Sequence, residues 1–425
     1  MMDTIFALSS GAPPAGIAVV RISGPLAGDA LVRLSGSLPP PRRAHYTRLS
    51  DPQGELLDHA LVLWFPGPHS VTGEDLAELH LHGGRAVIAA VEAALQGLGG
   101  LRKAEAGEFT RRAFANGRID LMEAEGLADL LSAETELQRR SAVSLAGGTL
   151  SHTVEGWRER VLACSAQVEA VLDFADEDDV AALPSEFLQQ IAVMHRELED
   201  WLAAPRAETL REGFRVALAG PPNAGKSTLF NALVESEAAI IAPIAGTTRD
   251  ILVRPVAMAG IPFSFVDMAG LRDESGDVIE TIGIARAREE IARADLVLWL
   301  GPEGEGPQGA WEVEAQCDRT DHPPKQNPAF RLSAVTGAGL EDLKVALIAH
   351  ARGAMPKPGQ AALGQRQRDI LSEAAEALRT AEGCNDPLIL AEHLRRVRVA
   401  FDRLVGRSST EDVLDTLFGR FCIGK

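Results

Sequence analysis

At 425 residues the chain is long enough for two or three domains, each with its own core. A formal net charge of −18 excludes a dominant, non-specific grip on nucleic-acid phosphates, while leaving room for a local basic patch. Hydrophobic residues make up 46%, yet no apolar run approaches membrane-spanning length and the first residues lack a signal-peptide pattern, so a soluble chain without a membrane anchor is expected. Cys164, Cys317, Cys384 and Cys422 form no C-x-x-C pair, which points to a reducing, cytoplasmic setting rather than a disulfide framework.

Residues 1–117 mix β-type runs such as "GIAVVRIS" and "HALVLWF" with Gly and Pro turns, a pattern that predicts an α+β domain. From 118 to 210 the texture is helical: "DLMEAEGLADLLSAETELQRR" sets Leu121, Glu125, Leu127 and Leu131 among good helix formers. "DFADEDD" (173–179) reads as a solvated helix end, and "LAAPRAETLREG" as a connector. Residues 211–355 alternate short apolar runs ("FRVALAG", "IPFSFVDMAG", "ADLVLWLG", "AFRLSA") with amphipathic helices, which predicts a doubly wound α/β domain. Helical texture returns over 356–425, where Leu394, Val397, Phe401 and Leu404 make an apolar seam. "SSTEDVLDTLF" offers a serine cap ahead of a last helix. Helical texture on both flanks predicts one discontinuous all-α domain interrupted by the α/β domain. The arginine clusters at Arg111 and Arg112, at Arg139 and Arg140, and at Arg395, Arg396 and Arg398 read first as solvated helix faces.

"GPPNAGKST" (220–228) satisfies G-x-x-x-x-G-K-[ST], after one predicted strand and opening a helix. Such a turn aims backbone amides at phosphate oxygens; Lys226 brings a cation to the β- and γ-phosphates and Ser227 a hydroxyl to Mg²⁺. Asn223, Ala224, Gly225, Lys226, Ser227 and Thr228 are the expected phosphate-binding run. "FVDMAG" places Asp267 where it can hold Mg²⁺ through water and Gly270 where its amide can sense the γ-phosphate. "AGTTRD" offers Thr247 and Thr248 as a second hydroxyl for the metal. The order of these pieces predicts a switch-type GTPase. Its base-reading segment is unusual: in "AQCD" Asp318 is kept, but Ala315 and Gln316 stand where N-K-x-D has Asn and Lys. "LSA", with Ser333 and Ala334, resembles the loop that backs the base. Guanine preference is expected, in reduced form.

Together with these motifs, "VVRISG" (19–24), "TGEDLAELHLHGG" (72–84), "AEAGEFTRRAFANGRIDLMEAEGLADL" (104–130), "IAGTTRD" and the terminal "FCIGK" closely resemble the MnmE (TrmE) family of tRNA-modifying GTPases, over essentially the full length. The resemblance implies an N-terminal tetrahydrofolate-binding and dimerisation domain, a discontinuous helical domain and an inserted Ras-like P-loop GTPase domain. It implies a homodimer working with the FAD-containing MnmG (GidA). Together they would modify C5 of the tRNA wobble uridine, using GTP, Mg²⁺, K⁺ and a one-carbon unit from 5-formyl- or methylene-tetrahydrofolate.

By position the resemblance puts folate contacts on Arg21, Glu78, Arg118 and Lys425; Arg118 replaces the family's usual Lys. It puts K⁺ ligands on Asn223, Ala242, Ile244 and Thr247, Mg²⁺ ligands on Ser227 and Thr248, and the water-orienting carboxylate on Glu280. From the residues alone Glu280 is a surface helix carboxylate. Met268 stands where the family has Thr, Pro243 where Asp is common, and the chain is short between Leu300 and Phe330. Cys422 becomes a candidate participant in the modification chemistry, with packing beside the folate pocket as the alternative. A GTP-dependent regulatory switch that binds ribosome or RNA fits the generic motifs equally, as does a poor GTPase kept as a scaffold. Neither gives "FCIGK" a role.

Overall fold

The period-2 runs of the N-terminal segment fold as a six-stranded sheet of order β3-β4-β5-β2-β1-β6. Its strands are β1 (Thr4–Leu8), β2 (Ala15–Ser23), β3 (His45–Ser50), β4 (Leu56–Phe65), β5 (Leu76–Gly83) and β6 (Leu101–Lys103). All neighbours are antiparallel except β1 and β6. Alternation decides the faces. Ala18, Val20 and Ile22 of β2 turn into a core with residues of helices Ala27–Ser35 and Arg85–Gly97. Arg21, between them, turns to the other face. There Ile5, Ala7, Ala104 and Phe109 form a smaller apolar cluster. Each fully buried Val or Ile contributes about 1.5–3 kcal/mol.

The structure, a computed structural model, describes residues 3–173, 183–204, 207–235, 238–239, 252–268, 289–319, 324–356, 361–408 and 411–425. The chain divides into two compact units. The first comprises residues 1–128, 151–155 and 401–425, so the chain's last residues belong with the N-terminal sheet. Helix Glu411–Phe418 and the turn after it pack Leu417, Phe418 and Phe421 against Leu121 and Ala124. Ile423 forms an isolated β-bridge with Ala106. Gly424 has φ 93°, and a Cβ there would collide with the Leu8 carbonyl oxygen, so only glycine lets the tail lie this close.

The second unit, 129–150 and 156–400, holds a seven-stranded sheet of order β13-β12-β11-β7-β10-β9-β8. Its strands are β7 (Phe214–Ala219), β8 (Ala238–Ala239), β9 (Leu252–Met258), β10 (Ile261–Asp267), β11 (Leu296–Trp299), β12 (Trp311–Glu314) and β13 (Phe330–Arg331). β7, β10, β11, β12 and β13 run parallel, while β9 is antiparallel to β10 and β8. Phe214, Val216 and Leu218 share one core with residues of helices Lys226–Glu235 and Leu340–Ala354. Ala217 and Ala219 face a second cluster with Val297.

Helix Ser185–Leu202, before the sheet, packs along helix Gln365–Glu382, after it, and His195 Nδ1 lies 2.8 Å from Glu382 Oε1. The α/β domain is therefore inserted in a discontinuous helical one. The expected connector contains a short helix, Ala207–Glu212, because Ala207 and Leu210 find burial in the α/β core. The "AFRLSA" strand is only two residues long. The seam Leu394, Val397, Phe401 and Leu404 is fully buried, as the spacing predicts. Ser409 and Thr410 of the expected capping stretch and most of the acidic run lie outside the described residues. Among the described residues no helix is long and apolar enough to cross a membrane.

Candidate functional site

The glycine-rich turn leaves central strand β7 and enters helix Lys226–Glu235. Gly225, at φ 90°, makes the last bend, and its carbonyl accepts the Leu229 amide at 2.9 Å to start the helix. Asn223 holds a left-handed φ of 62° without being glycine. Such strain collects where backbone groups must face a ligand. Lys226 is buried, its Nζ donating to the carbonyls of Gly220 (3.0 Å) and Pro221 (2.8 Å). Gly220, Pro222, Asn223, Gly225 and Lys226, with Ser227, Thr228, Met268, Gln316 and Arg319, line a cleft of about 690 Å³. A helix N-terminus, a cation and two hydroxyls converge there, which is a place for a polyphosphate and its metal.

The other motifs reach the same sheet edge. Asp267 ends β10, buried, in register with Leu218 of β7. "AQCD" follows β12 and "LSA" follows β13. All lie at the carboxyl ends of parallel strands, where open α/β sheets bind ligands. Asp318 is exposed and is not part of the cleft lining. Ser333 is fully buried, its Oγ accepting the Thr336 amide at 3.1 Å, so the hydroxyl holds its own turn; Ala334 follows half-buried. Ala242, Ile244, Thr247, Thr248, Gly270 and Glu280 lie outside the described residues.

A second constellation sits on the N-terminal sheet. Arg21 and Glu78 are register partners across β2 and β5. Arg21 Nε and Nη2 both donate to Glu78 Oε1, at 3.1 and 2.8 Å, and the guanidinium lies 5.9 Å from the Phe109 ring centre. Among the described residues Glu78 Oε2 has only the long 3.3 Å contact to His80 Nε2. Lys425 belongs to the same unit: Gly424 meets Leu8, whose partner on β2 is Val20, next to Arg21. Cys422 is exposed, and its carbonyl accepts the Lys425 amide at 3.2 Å. Arg118 is elsewhere in this unit, lining a groove with Asp120, His152 and Arg407 that includes none of Arg21, Glu78 or Lys425.

Beside this pair runs a charged network. Arg112 donates to Asp3 Oδ1 (2.8 Å), Glu108 Oε1 (3.0 Å) and Glu74 Oε2 (3.1 Å), and Arg102 pairs with Asp3 and Glu108. Burial pushes the Glu108 carboxyl up, but bonds from Arg102, the Glu105 amide and Arg112 outweigh it and hold it below the usual carboxylate range. Asp3 is held low in the same way by Arg102 and Arg112, against its own desolvation. Other arginines of the sequence clusters sit on solvated faces, as expected, and pair there: Arg111 with Asp415 and Glu411, Arg139 and Arg140 with Glu136, Arg395 with Glu392. Gln316, Met268 and Arg319 are cleft residues that motif matching passes over. Gln316 and Met268 were visible only as departures from a pattern, and that departure was their signal.

A P-loop on the central strand, an aspartate ending the neighbouring strand β10 and base-side loops after β12 and β13 define a nucleotide hydrolase of the GTPase class. Residues 4–118 match the family described as GTP-binding protein TrmE N-terminus, and residues 121–422 the MnmE helical domain. A tRNA modification GTPase MnmE from Novosphingobium aromaticivorans is 63% identical over 437 residues, covering 100% of both chains. Another from Erythrobacter litoralis is 61% identical over 424 residues, again covering 100% of both. The G domain of the T. maritima FeoB iron transporter aligns at 26% identity over 32% of this chain and 98% of its own, with a TM-score of 0.24. The full-length identities decide the matter: the chain belongs to the MnmE family of tRNA modification GTPases, and it is a GTP hydrolase.

Proposed function

We propose that the chain is a K⁺-stimulated GTPase that acts as a homodimer with the FAD-containing MnmG. With it, the chain installs an aminomethyl-type group at C5 of the tRNA wobble uridine from a tetrahydrofolate one-carbon unit. The observation that carries this reading is the docking of the Cys-Ile-Gly-Lys tail on the same unit that holds the Arg21–Glu78 pair. A nucleotide switch has no use for that arrangement.

The residues present fit a folate. Glu78 keeps one oxygen with only a long contact, able to accept from a pterin, while Arg21 and Lys425 are cations for glutamyl carboxylates. Arg118 would meet the more distant end of such a ligand from its own groove. At the cleft, Ser227 with Thr248 would hold Mg²⁺, which supplies charge neutralisation of the phosphates when bound. Asn223 with Thr247 and the backbone of Ala242 and Ile244 would hold K⁺. Glu280 would orient the attacking water. Cys422, exposed on the same unit as the Arg21–Glu78 pair, would be a thiol available to the modification chemistry.

Three measurements test the reading. Deleting the gene should remove C5-aminomethyl-type nucleosides from tRNA hydrolysates; unchanged nucleosides would overturn it. The purified protein should bind formyl-tetrahydrofolate, more weakly after Arg21→Ala, and turn GTP over faster in K⁺ than in Na⁺. Undiminished turnover in Na⁺ would remove the potassium assignment, and absence of folate binding would leave a nucleotide switch.

A further inference from the structure

The stretch that departs most from a guanine-reading motif, Ala315 to Asp318, makes a contact that the motif's missing letters do not describe. Ala315 is buried in the α/β core at the end of β12. Gln316 pairs with Ser333 through an isolated antiparallel bridge, and the Cys317 amide donates to the Leu332 carbonyl at 3.2 Å. The backbone of "AQCD" is thereby fastened to the "LSA" turn. The Gln316 side chain then crosses to the phosphate loop, where its Nε2 donates to the Asn223 carbonyl at 3.0 Å. It also closes over Gly225: a Cβ on that residue would lie 3.3 Å from the same Nε2.

We propose that Gln316 is a positioning residue that locks the base-side loops to the phosphate loop, and that grip on the purine end of the nucleotide depends on this one neutral amide. The proposal rests on the GTPase reading of the cleft, with 315–318 as its base-side segment. Asn223 stands in a left-handed conformation that turns its carbonyl toward the cleft wall, and a carbonyl so turned needs a donor. Among the described residues Gln316 supplies it. Lysine, the residue expected at this place in the motif, would supply the same bond with a full charge in the cleft. Glutamine supplies the bond without the charge. With the amide gone, the loops after β12 and β13 lose this side-chain tie to the loop after β7, while Lys226, Ser227 and Asp267 keep their places.

The effect is therefore on binding rather than on chemistry. A neutral hydrogen bond of this kind corresponds to a change of about five- to tenfold in affinity. Gln316→Ala should raise the KM for GTP and the Kd for GDP by about that factor, with kcat at saturating GTP within about twofold of the parent. Gln316→Lys keeps a donor and should return both constants to within about twofold. Gln316→Glu keeps the size, lacks the donor, and should bind no better than the alanine variant. A thermal midpoint for each variant reports whether the fold is intact.

If Gln316→Ala binds GDP as the parent does, or if its kcat falls as much as its KM rises, the positioning role is wrong. If Lys fails to restore what Ala removes while the fold is intact, the donor is not the working feature. The parent competed with ATP against GTP separates this from the reading beneath it. A parent that does not discriminate overturns the base-side assignment of 315–318 itself; a discriminating parent with an indifferent Gln316→Ala overturns only the tie.

Discussion

The phosphate cleft takes most of its groups from residues 220–228, one turn and the start of one helix, whereas the charged end of the N-terminal sheet gathers side chains from the whole chain. Arg111, for example, donates to Asp415, 304 residues away, and Arg112 to Asp3, 109 residues away. The difference is physical. The cleft binds through backbone amides, so its chemistry is set by local φ and ψ, and glycine marks the places where those are unusual. The charged end is held by long side chains whose partners are fixed only once the sheet, helix Glu108–Ala115 and the C-terminal helix are assembled.

The sharpest way to break this comparison is at the cleft. Lys226→Ala removes the single cation that the turn brings to the phosphates, and GTP turnover should fall by about 10²–10³. The fold should survive, because the lysine donates to carbonyls of its own turn, Gly220 and Pro221. Turnover within tenfold of the parent would mean that the cleft is not where hydrolysis occurs. At the other end, Arg112→Ala leaves Asp3, Glu74 and Glu108 near one another, with Arg102 the cation left to Asp3 and Glu108 among the described residues. Removing one partner from a half-buried charge network should cost about 3 kcal/mol in denaturant titration. GTP turnover should be unchanged. A loss below about 1 kcal/mol would show that the network is as solvated as an ordinary surface pair.

The same contrast explains how much could be read in advance. The phosphate turn, the strand–helix alternation and the insertion of one domain in another follow from local pattern, and the structure has them. The Arg21–Glu78 pair was reachable only through family signatures, because a register between β2 and β5 cannot be read from two separate strands. The arginine clusters looked like solvated faces, yet Arg112 is largely buried in a network, since its partners lie in other segments. Helix Ala207–Glu212 was hidden because its stretch looks polar and begins near a proline, while the burial that makes it a helix comes from the sheet. In the sequence Gln316 is a departure from a pattern that names Lys; its bond to Asn223 shows the amide in use.

The C-terminal tail tests whether a distant segment can be as tightly specified as a local turn. Gly424→Ala adds a methyl that would meet the Leu8 carbonyl, in a backbone conformation that alanine resists. The expected cost is about 2 kcal/mol in the stability of the N-terminal unit, with earlier proteolytic nicking after residue 418 and unchanged GTP turnover. Unaltered cleavage would mean that the tail is not held by this contact.

The smallest effect follows from pH. Glu108 and Asp3 are held below the usual carboxylate range when folded, so the unfolded chain takes up protons first as pH falls. Their contribution is present above the unfolded value of about 4 and is lost as pH drops through the lower folded value. Stability of the N-terminal unit should therefore decline with acid below about pH 4, while the same groups give no slope between pH 6 and 8. Glu108→Gln removes one of the two groups and should flatten that acid limb. At neutral pH it should cost under about 1 kcal/mol, because Arg102, its first partner, is half exposed and screened by solvent. Parallel acid titrations of the parent and Glu108→Gln, followed by circular dichroism, decide it. Coincident limbs would mean that the carboxylate titrates in the folded protein as it does in the unfolded chain, and that Arg112 is held by Asp3 and Glu74 alone.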